Sequence, residues 1–119
     1  APRYRCEIIA GVTGMSGCWS AAETPIAQGN DVFTVLSGLL PESELVHRLA
    51  EADAAVIMKV GRHLPKVRRA LDAAHRLDRA IYVERGTMAD AVVMPLAEKR
   101  DDGAPYFAVV LVPGWETRP

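Results

Sequence analysis

A continuous apolar run, followed closely by a glycine, constrains the fold of this chain more than any other feature of its sequence. Residues 54–59 read A-A-V-I-M-K, with no alternation of polar and apolar side chains, and Gly61 follows two positions later. An apolar run of this length between turn residues is typical of a strand that is buried on both faces of a sheet. Because ligands of open α/β sheets collect beyond the carboxyl ends of the strands, Met58, Lys59 and Gly61 lie at a predicted site.

The other apolar segments predict an alternation of strands and helices. Two helices are indicated by apolar residues at helical spacing, one from about residue 42 to residue 52 and one over residues 64–74, and a further helix is expected through residues 19–23. Strands are expected over residues 4–9, 32–36, 54–59, 80–84, 91–97 and 106–112. The order β-α-β-α-β-α-β-β-β predicts an α/β domain with a mixed, mostly parallel sheet of five to six strands and helices on its faces. The last two strands have no crossover helix between them, so they could pair antiparallel.

Composition limits the class of protein. The chain has 119 residues, half of them apolar, which fits a single domain over residues 1–119. A net charge of -1 gives no general argument for binding nucleic acid or an anionic membrane. Cys6 and Cys18 are not at metal-ligand spacing and no long apolar segment is present, so we expect a reduced, cytoplasmic protein without a metal site.

One helix is locally basic. Residues 59–79 contain seven Lys and Arg residues but only Asp72 and Asp78 as acidic residues. Lys66, Arg69 and Arg76 lie off the apolar stripe of this helix, an arrangement that most often forms a solvated basic face, and the alternative is an electrostatic guide for an anionic substrate or partner.

Three loops at predicted strand ends, residues 11–14, 58–61 and 85–88, are rich in small residues and poor in titratable groups. The first loop matches neither of the common phosphate-binding glycine motifs. No nucleophile is paired with a base in the sequence, so we predict no catalytic residue; Glu84 could act as a base, or form an ion pair with Lys59. Loops of this composition suit a flat, partly apolar ligand such as an adenine-containing cofactor.

Five segments resemble the tetrapyrrole methylase family and, within it, the carboxyl-terminal half of the precorrin-2 C20-methyltransferases. The resemblance covers almost the whole chain. Its segments are G-V-T at residues 11–13, G-N-D-V-F-T-V-L at 29–36, V-I-M-K-V-G-R-H-L at 56–64, Y-V-E-R with T-M at 82–85 and 87–88, and P-Y-F with L-V-P-G at 105–107 and 111–114.

The resemblance implies half of a two-domain enzyme that transfers a methyl group from S-adenosyl-L-methionine to C20 of precorrin-2 in cobalamin biosynthesis. We therefore expect residues 1–119 to be the carboxyl-terminal domain, with the amino-terminal domain absent, and to be inactive alone. We also expect the enzyme to be a homodimer.

Site residues carried over from the resemblance fall on the three loops. Thr13 and Gly14 match the cofactor-contacting loop after the first strand, Met58 matches a methionine whose backbone contacts the cofactor, and Gly86 matches a small residue with the same role. Lys59 and Thr87, with the Tyr106-Phe107 pair, lie beside these positions. Because precorrin-2 is a polycarboxylate, Arg62 and Lys66 are the expected substrate-binding cations.

Two other classes of function remain open from the sequence. The chain could be a non-enzymatic α/β domain used for dimerisation or interaction. It could also bind nucleic acid through the basic helix, although the sequence has no aromatic residues interleaved with the cations.

Overall fold

The computed structural model describes Ala22 and residues 31–84, 91–101, 103–104 and 108–114. The strand expected over residues 4–9 lies outside this part of the chain. So do the helix expected through residues 19–23, apart from Ala22, and the loops at 11–14 and 85–88.

The described strands form one mixed sheet. They are β1 (Phe33–Ser37), β2 (Ala54–Met58), β3 (Ile81–Glu84), β4 (Val92–Pro95) and β5 (Ala108–Val112), in the order β1-β2-β5-β3-β4. β1 and β2 are parallel, whereas β5 is antiparallel to both of its neighbours and β4 is antiparallel to β3. β1, β2 and β3 therefore all run in the same direction.

The prediction of a mostly parallel sheet is wrong for the described strands. Only one of their four pairings is parallel, and β4 and β5 do not pair with each other. Burial explains the arrangement. β5 is buried at all five positions, as an apolar strand in the middle of a sheet must be, whereas β4 has exposed valines and ends at Pro95, which suits an edge strand.

Two helices, α1 (Glu42–Glu51) and α2 (Leu64–Ala73), pack side by side on one face of the sheet. They bury Leu45 and Leu49 of α1 and a stripe of α2, in agreement with the predicted periodicity. The main core lies between these helices and the sheet. The opposite face has a smaller cluster around Val56, Val83, Val109 and Leu111, against which Ala22 packs.

Helix α2 ends in a Schellman motif. His75 has a positive φ of 60°, its N–H donates to the Asp72 carbonyl at 3.1 Å, and the N–H of Arg76 donates to the Leu71 carbonyl at 2.8 Å. This is the usual hydrogen-bond pattern of the motif, with His75 in the left-handed position that glycine normally occupies. The turn directs Arg76 away from the line of the helix.

Arg76 is fully buried, so its assignment to a solvated basic face is wrong. Its guanidinium donates to the carbonyls of Leu49 at 3.0 Å, Ala52 at 2.6 Å, Asp53 at 2.7 Å and Pro113 at 3.2 Å. Desolvation, with a smaller contribution from Arg79, lowers the pKa of Arg76 to about 10. The side chain is thus still a cation at neutral pH, and it ties the end of α1 to the segment after β5.

Candidate functional site

The carboxyl ends of β1, β2 and β3 lie at one edge of the sheet. Ser37, the last residue of β1, is the register partner of Met58, the last residue of β2. Glu84 ends β3 opposite Ala108, where the antiparallel β5 begins. This edge of the described sheet is therefore built from three strand ends, with β5 inserted between β2 and β3. Of these three, the sequence predicted only the ends of β2 and β3 as parts of the site.

The turns after β1 and β2 are in direct backbone contact at Gly38. The N–H of Gly38 donates to the Met58 carbonyl at 2.7 Å. A Cβ at position 38 would lie 2.6 Å from the carbonyl oxygen of Lys59 and 3.3 Å from that of Met58. Only glycine allows the two turns to approach this closely.

Lys59 has an unusual backbone conformation at this point. Its φ is 56°, in the left-handed region that costs an L-residue about 1–2 kcal/mol. Its neighbours Met58, half-buried, and Val60, fully buried, hold the turn in place on either side. A strained residue fixed by its surroundings is common at ligand sites.

Three cations follow β2 without an ion-pair partner anywhere in the described part of the chain. They are the exposed Lys59 and Arg62 and the half-buried Lys66. Other cations of the basic run have structural contacts. Arg69 binds Glu42 at 2.8 Å, and Arg68 donates to the carbonyls of Leu96 and Asp101, both at 3.1 Å.

Glu84 is held by its own strand rather than by Lys59. The hydroxyl of Tyr82 donates to Glu84 Oε1 at 2.7 Å. Lys59 and Glu84 both lie in the described part of the chain, and no ion pair joins them there. Lys99 lies over the Tyr82 ring, with Nζ 4.7 Å from its centre, and binds Asp101 at 2.8 Å. The hydrogen bond from Lys99, followed by that from the Gly103 N–H, lowers the pKa of the Asp101 carboxyl.

Four of the predicted site residues, Met58, Lys59, Arg62 and Lys66, lie in one continuous segment from the end of β2 to the first turn of α2. The other predicted site residues lie outside the described part of the chain: Thr13, Gly14, Gly86, Thr87, Tyr106 and Phe107. Sequence reasoning missed Gly38. A glycine directly after a predicted strand end was the available signal, because such glycines permit close approach of two backbones.

In the part of the chain that the structure describes, no group of three or more His, Cys, Asp or Glu side chains could hold a metal ion. No helix there has the length and apolar character needed to cross a membrane.

Comparison with known sequences gives strong matches. The family model described as Tetrapyrrole (Corrin/Porphyrin) Methylases matches residues 1–99. A precorrin-2 C(20)-methyltransferase of Sinorhizobium sp is 62% identical over 119 residues, which cover 100% of this chain and 49% of that protein. The cobalamin biosynthesis protein CobIJ of Mycobacterium tuberculosis is 43% identical over 116 residues, 98% of this chain and 23% of that protein. The chain thus spans about half the length of the first relative and less of the second.

Solved structures share the α/β fold. A cobalt precorrin-4 methyltransferase superposes with a TM-score of 0.67 at 20% identity, covering 90% of this chain and 51% of that one. The uroporphyrin-III C-methyltransferase of Thermus thermophilus, solved in complex with S-adenosylhomocysteine, superposes with a TM-score of 0.60 at 21% identity and covers 90% of this chain and 52% of that one.

Proposed function

Because this chain belongs to the tetrapyrrole methylase family, we propose that it is the carboxyl-terminal half of an S-adenosyl-L-methionine-dependent methyltransferase. The proposed reaction is methylation of precorrin-2 at C20 in cobalamin biosynthesis. The observation that carries the proposal is the 62% identity, over the whole chain, to the Sinorhizobium precorrin-2 C(20)-methyltransferase.

The groups at the carboxyl ends of β1 and β2 fit an S-adenosyl-L-methionine cofactor. The Met58 carbonyl accepts one hydrogen bond from Gly38 and, like any carbonyl oxygen, has a second lone pair for a ligand donor. The half-buried Met58 side chain offers apolar, polarizable surface for a flat ring. When bound, the cofactor supplies an electrophilic methyl group on its sulfonium sulfur.

The residues of this chain would bind and orient rather than perform acid–base chemistry. In this proposal the backbone of Met58 and Lys59 forms one wall of the cofactor site, and Thr13, Gly14, Gly86 and Thr87 contribute from the neighbouring loops. Holding two reactants in the correct geometry can supply much of the reduction in a reaction barrier. An electron-rich macrocycle needs little further activation to attack a sulfonium methyl group.

Arg62 and Lys66 would attract the carboxylates of precorrin-2. Both are cations without an ion-pair partner in the described residues, and both follow the strand end at which the cofactor is proposed to bind. Electrostatic attraction of this kind raises the rate of encounter and weakens as salt is added.

Charge reversal tests this role. We expect Arg62→Glu and Lys66→Glu, alone and together, to raise KM for precorrin-2 and to reduce its salt dependence in the two-domain enzyme. The matched control is Arg100→Glu, which makes the same charge change at an exposed residue beyond the carboxyl end of β4, the strand antiparallel to β3. Equal effects of Arg62→Glu and Arg100→Glu would refute the assignment.

The reaction itself is tested with methyl-13C-labelled S-adenosyl-L-methionine and precorrin-2. The two-domain enzyme should place the label at C20, as seen by NMR of the product, and the 119-residue chain alone should give no labelled product. Labelling at another carbon would refute the proposed substrate position. Labelled product from the chain alone would refute its proposed role as an inactive half.

Assembly and location are part of the same proposal. We propose a homodimer in the cytoplasm, which follows from the family resemblance and from the isolated cysteines. Light scattering of the two-domain enzyme should give twice the mass of one subunit, and a monomer mass would contradict the proposed dimer.

A further inference from the structure

We propose that Gly38 is a positioning residue for the cofactor, acting through the backbone of Met58 and Lys59. The inference rests on the function proposed above and adds to it a residue on a different strand end. Gly38 itself need not touch the ligand.

The contact between the two turns is made by backbone atoms on both sides. Gly38 donates its N–H to the Met58 carbonyl at 2.7 Å, and its Cα faces the Lys59 carbonyl so closely that a methyl group would lie 2.6 Å from that oxygen. Backbone atoms in a packed turn cannot rotate away as the end of a long side chain can. Any side chain at position 38 must therefore displace one of the two turns.

The conformation of Lys59 makes this displacement important. The φ of 56° is unfavourable for a lysine. The exposed Lys59 side chain has no partner in the described residues that would stabilise this backbone conformation. The backbone is fixed instead by Gly38 on one side and by the fully buried Val60 on the other. The backbone contact at Gly38 thus determines how the Met58 and Lys59 peptide groups are oriented in the proposed cofactor site.

The size of the effect follows from the geometry. Ordinary van der Waals contact for a Cβ begins at 3.4 Å, whereas a Cβ at position 38 would lie 2.6 Å from the Lys59 carbonyl oxygen. The turns must therefore separate by somewhat less than 1 Å, and misplacement by about 1 Å can cost up to about 100-fold in rate. We expect Gly38→Ala to lower kcat/KM for S-adenosyl-L-methionine by about tenfold or more and to weaken S-adenosylhomocysteine binding.

Gly38→Ala in the two-domain enzyme tests the proposal. We expect Kd for S-adenosylhomocysteine, measured by calorimetry, and KM for S-adenosyl-L-methionine to rise together, with KM for the tetrapyrrole unchanged. A general loss of structure would not separate the two KM values. The controls are Leu39→Ala, which removes an exposed side chain from the same turn, and Gly103→Ala, where the added Cβ would be 3.3 Å from a single side-chain atom of Asp101.

The outcomes separate this inference from the proposed function. If the wild-type enzyme binds S-adenosylhomocysteine and Gly38→Ala binds it as tightly as Gly103→Ala does, Gly38 is not a positioning residue and the proposed function stands. If the wild-type enzyme does not bind it, the proposed function fails and this inference fails with it.

A measurement on the wild-type enzyme covers the case in which Gly38→Ala does not fold. Hydrogen exchange of the Gly38 amide should slow when S-adenosylhomocysteine binds, because the ligand would stabilise the segment whose carbonyl accepts that N–H. Exchange at Gly38 that is unchanged by saturating ligand would overturn the proposal.

Discussion

Replacement of the buried Arg76 by leucine should strongly destabilise the chain. The guanidinium donates four hydrogen bonds to carbonyls, and those of Leu49 and Ala52 belong to the end of α1, where no intrahelical donor remains. At about 1.5–3 kcal/mol for each bond to a charged group, the four contribute roughly 6–12 kcal/mol. Desolvation and a smaller repulsion from Arg79 oppose them, and the lowering of the pKa to about 10 corresponds to roughly 3 kcal/mol for the two effects together.

The hydrogen bonds exceed this opposing cost, and leucine would leave the buried carbonyls without their donor, so we expect Arg76→Leu to lower the free energy of unfolding by about 3–5 kcal/mol. Urea unfolding followed by circular dichroism measures the difference. Arg76→Lys should lose less, because its ammonium keeps the charge but has fewer donors.

Arg69→Leu is the matched control for this substitution. Arg69 is an exposed arginine on α2 whose carboxylate partner is Glu42, and loss of such a surface pair should change the free energy of unfolding by less than about 1 kcal/mol. If Arg76→Leu were no more destabilising than Arg69→Leu, the structural role given to Arg76 would be refuted.

Three further predictions concern single residues. His75→Gly should raise the free energy of unfolding by about 0.5–1 kcal/mol in urea titrations, because glycine adopts a positive φ without strain. Tyr82→Phe should lower it by about 1 kcal/mol through loss of the hydrogen bond to Glu84, and an unchanged value would contradict that contact. In NMR titrations the Asp101 carboxyl should show a pKa below its usual value, and Lys99→Met should raise it. Because the folded-state pKa is lowered, the stabilisation is present at neutral pH and disappears as pH falls through that pKa.

The helices and strands could be predicted from local sequence patterns, because the spacing of apolar residues within one segment determines which of its faces is buried. Leu45 and Leu49 recur at helical spacing, and they mark the buried side of α1. The continuous apolar run predicted that β2 is buried from both sides, and four of its five residues are buried. These patterns depend on the side chains of one segment at a time, so the sequence contains them directly.

Strand order and the role of Arg76 depend on contacts between distant segments. The apolar residues of β5 indicate a buried strand but do not specify that it inserts between β2 and β3. Arg76 follows a basic helix, and its burial depends on the left-handed turn at His75, where the sequence has no glycine to mark the helix end. Similarly, the importance of Gly38 appears only when β1 and β2 are placed side by side.

A crystal structure of the two-domain enzyme with S-adenosylhomocysteine would show where the cofactor binds. We expect the ligand to contact the backbone of Met58 and Lys59 at the carboxyl end of β2, with the Gly38 N–H still hydrogen-bonded to the Met58 carbonyl. A ligand bound elsewhere, with the segment after β2 facing solvent or packed against protein side chains, would refute the proposed cofactor site.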